Sequence, residues 1–278
     1  MKQWEIEKAR AEGVTLSKFQ RPLERLRYRL RHPFKFKALQ KQSSKGAFIF
    51  VHIPKCAGTS IRESLGYDAG GHRTISGYRT MLSPELYRCC FKFTFVRNPW
   101  DRLVSAFFFL KNKDMKSNHR WAKENLSGFE TFDAFARKWV TRENVWKNSH
   151  FRPQFHFICM GNRRPAVDFI GYYENLADDF SFICERLKIN TALREENRNA
   201  LRGRNYKEYY TEETQRIVAE AYAEDIEMLG YSFDNSSLPT QMEARNKRFS
   251  DLSNFEAAAP DVSVEIPSPL PRQKLFGV

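Results

Sequence analysis

Residues 48–60 read Phe-Ile-Phe-Val-His-Ile-Pro-Lys-Cys-Ala-Gly-Thr-Ser, an apolar β-type run that ends in a turn and passes into the helical pattern of Ile61 to Leu65. A strand that is apolar on both faces must be covered on both faces, as parallel strands of α/β sheets are. The junction also has a chemical bias. Turn amides and the positive end of a helix dipole favour an anion, and Lys55 adds a full charge. A nucleotide triphosphatase loop reads G-x-x-x-x-G-K-[ST], with Lys after the second Gly. Here Lys55 precedes Gly58. The turn therefore suits a phosphate without being a Walker A loop, and its ligand need not be ATP.

Two more strands of the same character follow, Phe91 to Val96 and Val167 to Tyr173, the latter leading into a helix expected over 175–187. Helical patterns occupy 130–140 and 211–229. In the second, Thr211 is placed as N-cap, Glu212 and Glu213 lie in the first turn, and Gly230 is the stop. Strands alternating with helices predict an α/β fold: a P-loop-like parallel sheet flanked by helices in three layers, with ligands at the carboxyl ends of the strands. The second strand ends at Arg97, where Asn98 suits an N-cap and Pro99 the first helical position. Asn98, Arg102 and Ser105 then share a helix face, with Ser105 about 10 Å along the axis from Asn98. Arg97 and Ser105 can clamp a phosphate between them. The alternative is a surface ion pair of Arg97 with Asp101 and a small packing Ser105. Phe107, Phe108 and Phe109 read as packing. Two anion sites in one sheet suit a nucleotide phosphorylated at both ends of its ribose.

The chain has 278 residues, 41% of them hydrophobic, which suffices for one sizeable α/β domain. We place that domain at 47–235, between a basic arm at 1–46 and a flexible tail at 236–278. The arm holds 13 Lys or Arg against 4 acids, giving +9 of the chain's +13. Basicity is thus chiefly an N-terminal property and does not make the chain a nucleic-acid binder. Leu23, Leu26 and Leu30 predict an amphipathic helix between Pro22 and Pro33. It either docks on the domain or lies on an anionic membrane or acidic polymer. The absence of a long apolar run and of an export segment predicts a cytoplasmic protein, peripheral to the membrane at most. Five cysteines without a C-x-x-C pair fit a reducing compartment and no zinc site.

His52-Ile-Pro-Lys-Cys-Ala-Gly-Thr-Ser60 resembles the 5′-phosphosulfate loop of sulfotransferases that use 3′-phosphoadenosine 5′-phosphosulfate (PAPS). Val96-Arg-Asn-Pro-Trp-Asp-Arg-Leu-Val-Ser-Ala106 resembles their 3′-phosphate motif. The likeness is to the carbohydrate, heparan 2-O-like and bacterial branch. It continues through His150-Phe-Arg-Pro-Gln154, 167–176, 209–213, Asp225 and 230–233. The resemblance implies in-line sulfuryl transfer from PAPS to a hydroxyl of a glycan or glycolipid, without metal. Lys55 stabilises the leaving phosphate. Lys55, Cys56, Ala57, Gly58, Thr59 and Ser60 hold the 5′-phosphate, while Arg97 and Ser105 hold the 3′-phosphate. Arg202 and Arg204, in a basic Gly-containing loop, are candidates for 3′-phosphate or acceptor contacts.

The acceptor hydroxyl needs a general base, for which His has the suitable pKa. The resemblance points to His72, after a Gly between the two motifs. His150, the carboxylate of Glu63 and His52 stay open as alternatives, with His52 read chiefly as a hydrogen-bonded brace inside the loop. Competing readings are an ATP-dependent sugar or nucleotide kinase with a degenerate P-loop, and a basic adaptor acting through the arm.

Overall fold

The computed structural model describes residues 48–66, 71–112, 119–161, 164–194 and 205–257. The basic arm and the loop with Arg202 and Arg204 lie outside them. Strand β1 (Phe48–Val51) leads through the turn into helix α1 (Gly58–Ser64). Helices α2 (Ile75–Met81) and α3 (Pro84–Cys89) follow. Their starts are local: the Thr74 and Ser83 side chains accept from Gly77 and Leu86 N–H, and Pro84 opens α3. Then come β2 (Phe91–Val96), α4 (Pro99–Lys111), α5 (His119–Leu126) and α6 (Phe132–Trp139). After a 3-10 turn at Asn144–Lys147 come α7 (Phe155–Ile158), β3 (Cys159–Met160), β4 (Arg164–Pro165), β5 (Phe169–Tyr172) and α8 (Leu176–Leu187). The chain continues through α9 (Glu212–Ala221), α10 (Ala223–Leu229) and α11 (Leu238–Ala257).

The sheet is parallel in the order β1-β2-β5, with Phe50 opposite Phe93 and Phe95 opposite Gly171. The mixed α/β architecture agrees with the expected class. All four residues of β1 are buried, as are the last four of β2, so helices cover both faces. Each such Phe, once fully buried, contributes about 1.5–3 kcal/mol. Gly171 is glycine for a packing reason: a Cβ there would enter the Phe95 ring. No helix among the described residues is long and apolar enough to cross a membrane.

Two elements differ from expectation. The single helix expected over 211–229 breaks at Tyr222, a fully buried residue whose hydroxyl donates to Phe151 O at 2.6 Å. The flexible tail expected from 236 holds α11 over 238–257. Arg245 on this helix pairs with Asp179 at 2.7 Å and donates to Ile170 O on β5. Leu238 at its start is buried and Met242, one turn on, packs against the core, so these apolar contacts hold the helix together with the ion pair and the backbone contact.

Asp225 on α10 is fully buried and accepts the backbone N–H groups of Gln154 at 2.7 Å and Phe155 at 2.8 Å. It thereby seats the start of α7. Asp225→Asn would turn a donor toward one of these amides and leave it unsatisfied. We expect a loss of about 1–3 kcal/mol, read as a lower denaturant midpoint at unchanged slope.

Candidate active site

The turn after β1 reaches its shape through two non-glycine residues in the left-handed region, Lys55 at φ 69° and Ala57 at φ 58°. Ala57 occupies the N-cap position of α1 and offers no side-chain acceptor to the first helical amides. The start of α1 thus presents donors that no side-chain cap occupies, beside half-buried Thr59 and buried Ser60. Gly58 is required from within: a Cβ would collide with the His52 ring. His52 therefore braces the loop by packing. The hydrogen-bonded brace is corrected in part, because His52 Nδ1 is buried without a hydrogen-bond partner.

Arg97, at the end of β2, is buried and joins the two motifs. Its Nε pairs with Asp101 at 2.7 Å, Nη1 donates to Lys55 O at 3.1 Å, and the guanidinium lies 3.9 Å from the Tyr173 ring centre. The Arg97–Asp101 pair anticipated as an alternative exists, but it is buried rather than at the surface, and it coexists with the contact to the loop. Asn98 caps α4 as expected, its Oδ1 accepting from Trp100 N–H at 3.0 Å, while its own N–H donates to Glu174 at 2.7 Å. Ser105 lies two turns into α4, buried. Trp100 packs against Phe233 and donates from Nε1 to Gln215 O.

Three imidazoles converge at this end of the sheet. His52 and His72 ring centres are 4.5 Å apart, and those of His72 and His150 are 5.4 Å apart. Phe109 stacks on His150 at 4.9 Å, and Lys55 Nζ lies 3.8 Å above the Phe109 ring. The two leading base candidates and Lys55 therefore form one cluster. Glu63 lies on α1, half-buried. His156 is buried against Trp146 and Phe157, away from this role.

Hydrogen bonding sets the tautomers. His72 Nδ1 faces His52 O at 3.2 Å, and a carbonyl can only accept, so Nδ1 carries the proton. His150 Nδ1 faces Asn148 Oδ1 at 3.2 Å; that atom is an oxygen because it also accepts the His150 backbone N–H at 2.9 Å. In both neutral rings Nε2 keeps its lone pair. Burial pushes His72 down to about 4 and His150 to about 3, so both are neutral at pH 7. Burial, then the nearby Arg97, lowers Lys55 to about 8. Burial raises the Cys56 thiol to about 12, which removes it as a nucleophile.

Several contacts at this site leave no sign in the sequence. Phe109 had been read as packing only. Arg102, buried on α4, donates to His150 O at 3.1 Å and Arg152 O at 2.6 Å and so holds the His150 turn. Gln154, Asn148 and Glu174 act through partners distant in sequence or through their own backbone turn. The one available signal was their place in or beside the segments 150–154 and 167–176.

Carbohydrate sulfotransferase 14 of Danio rerio is 30% identical over 175 residues, covering 50% of this chain and 46% of the relative. The Mus musculus protein of that name is 27% identical over 173 residues, covering 51% and 45%. A protein of Archaeoglobus fulgidus is 28% identical over 131 residues, covering 44% of this chain and 95% of its own. The chain thus spans a little under half the length of the two carbohydrate sulfotransferases. No solved structure shows significant similarity. Residues 42–232, which contain both anion motifs, the imidazole cluster and every strand of the parallel sheet, match the Sulfotransferase family, and the chain belongs to that family.

Proposed function

We propose that the chain transfers a sulfuryl group from PAPS to a hydroxyl of a carbohydrate or glycolipid. The observation that carries this reading is the meeting of the two motifs: Arg97 Nη1 donates to Lys55 O at 3.1 Å, beside His72 and His150. Family membership supports sulfuryl transfer, and the named relatives are carbohydrate sulfotransferases. The same membership disfavours the kinase alternative. The residues fit the donor chemically. The uncapped start of α1, with Gly58, Thr59 and Ser60, suits the 5′-phosphate, and buried Arg97 with Ser105 suits the 3′-phosphate.

In this mechanism Lys55 supplies positive charge where the phosphate oxygen is released. Nε2 of His72 or of His150 takes the acceptor hydroxyl proton as that oxygen attacks sulfur. Burial keeps both imidazoles in the form that can accept it. The Phe109 ring fixes the Lys55 ammonium from one side, leaving its N–H donors for the ligand.

Adenosine 3′,5′-bisphosphate at millimolar concentration should raise the melting temperature without magnesium, and Lys55→Ala should remove most of that shift. A well-folded wild-type chain that is stabilised by magnesium ATP but not by the bisphosphate would reverse the assignment to the kinase.

The pKa of Lys55 gives a signed test. Its charged form binds the anion, so affinity for the bisphosphate should be full below about pH 8 and decline as pH rises through it. Calorimetric titration across that range checks this; Lys55→Arg should abolish the decline while keeping affinity. On the acid side, kcat/KM should persist well below the ordinary His value and fall only toward pH 4 if His72 is the base. His72→Ala should cost about 100-fold or more in kcat against the glycan selected by a labelled-PAPS panel. A loss confined to KM would remove His72 from that role.

A further inference from the structure

Gln154 lies outside both anion motifs and touches each of them. Its side chain is fully buried. Nε2 donates to Arg97 O at 2.8 Å, and Oε1 accepts Arg97 N–H at 2.9 Å, so one amide pairs with both backbone groups of one residue, as a neighbouring strand would. The orientation is unambiguous, since a backbone N–H only donates and a carbonyl only accepts. The same Oε1 also accepts the Cys56 thiol at 3.4 Å, inside the Lys55 turn. Gln154 is itself fixed through its backbone N–H, which donates to Asp225. Arg97 N, Arg97 O and Cys56 Sγ thereby converge on a single side chain that is seated on α10.

Resting on the reading that the Lys55 turn and Arg97 hold one nucleotide, we propose that Gln154 is a positioning residue that sets the spacing between the two phosphate-holding sites without touching the nucleotide. The Arg97 Nη1 to Lys55 O hydrogen bond also bridges the same two segments. With both bridges the separation is fixed before the ligand arrives, so little ordering remains to be done on binding.

The test is calorimetric binding of adenosine 3′,5′-bisphosphate to the full chain. Gln154→Met keeps length and removes both amide pairs; affinity should weaken about tenfold or more. Gln154→Glu gives a pH signature that a merely structural residue would lack. Its neutral acid donates to Arg97 O and accepts Arg97 N–H, while its carboxylate cannot donate. The ratio of variant to wild-type Kd should therefore be large near about pH 8 and shrink toward one near about pH 5.5. Where Gln154→Met does not fold, Cys56→Ala decides, with an expected loss of about threefold or more that Cys56→Ser restores. Folded Gln154→Met with wild-type affinity, or in its absence Cys56→Ala with wild-type affinity, overturns the inference alone. A wild-type chain that binds no bisphosphate overturns the donor reading and this inference with it.

Discussion

Backbone that is buried outside helix and sheet must find a partner for each of its polar groups, and the segment 148–155 meets that demand with side chains. Asn148 Oδ1 accepts the His150 N–H, Arg102 takes the carbonyls of His150 and Arg152, and Tyr222 takes that of Phe151. Asp225 accepts the last two amides, of Gln154 and Phe155. This irregular strip links helix α4, the α9–α10 junction and the candidate site. Burying Arg102 and Asp225 costs several kcal/mol each before compensation, and burial pushes Asp225 up to about 6. The compensation is geometric: each charge meets backbone dipoles of the sign it needs.

The same economy shapes the candidate anion site. Arg97 is paired with Asp101, so the positive charge it brings to the cluster is partly cancelled and its guanidinium is stiffened by Tyr173. Lys55 is held by a ring face instead of a carboxylate. A cation held only by an aromatic face keeps its full charge available, whereas one in an ion pair keeps part of it. The division suits a site in which one cation frames the loop and the other answers charge that appears during reaction. Burial works in the same direction on the imidazoles, holding them neutral beside Lys55.

What could be read from the sequence was local or periodic. The β1 turn, the Asn98-Pro99 start of α4, the Thr211 cap and the Gly230 stop rest on contacts within a few residues, and each stands where expected. Packing could not be read. Phe109 lies beside two packing phenylalanines, and only the position of Lys55 in space separates it from them. Gln154 meets Arg97 across 57 residues and Cys56 across 98, distances at which a single sequence carries no pairing signal. Helix α11 escaped because Arg245 and its partner Asp179 are 66 residues apart, while its few apolar residues, among them Leu238 and Met242, are spread among polar ones.

The two candidate bases share a tautomer but not an anchor, and the anchors bear on how each would track the reaction. His150 is fixed by Asn148 and Arg102, both outside the phosphate loop. His72 is fixed by the carbonyl of His52, three residues before Lys55 on the same stretch of chain, and His52 in turn packs against Gly58. A displacement of the loop therefore carries His72 with it and leaves His150 behind. Effective in-line transfer needs the proton acceptor and the leaving-group cation to keep their mutual geometry within a fraction of an ångström. The short mechanical path through His52 provides that for His72. The path to His150 runs through Phe109, a packing contact that constrains distance less than a hydrogen bond does. On the proposed reading this makes His72 the residue whose position is referenced to the donor, and His150 the wall against which it is set.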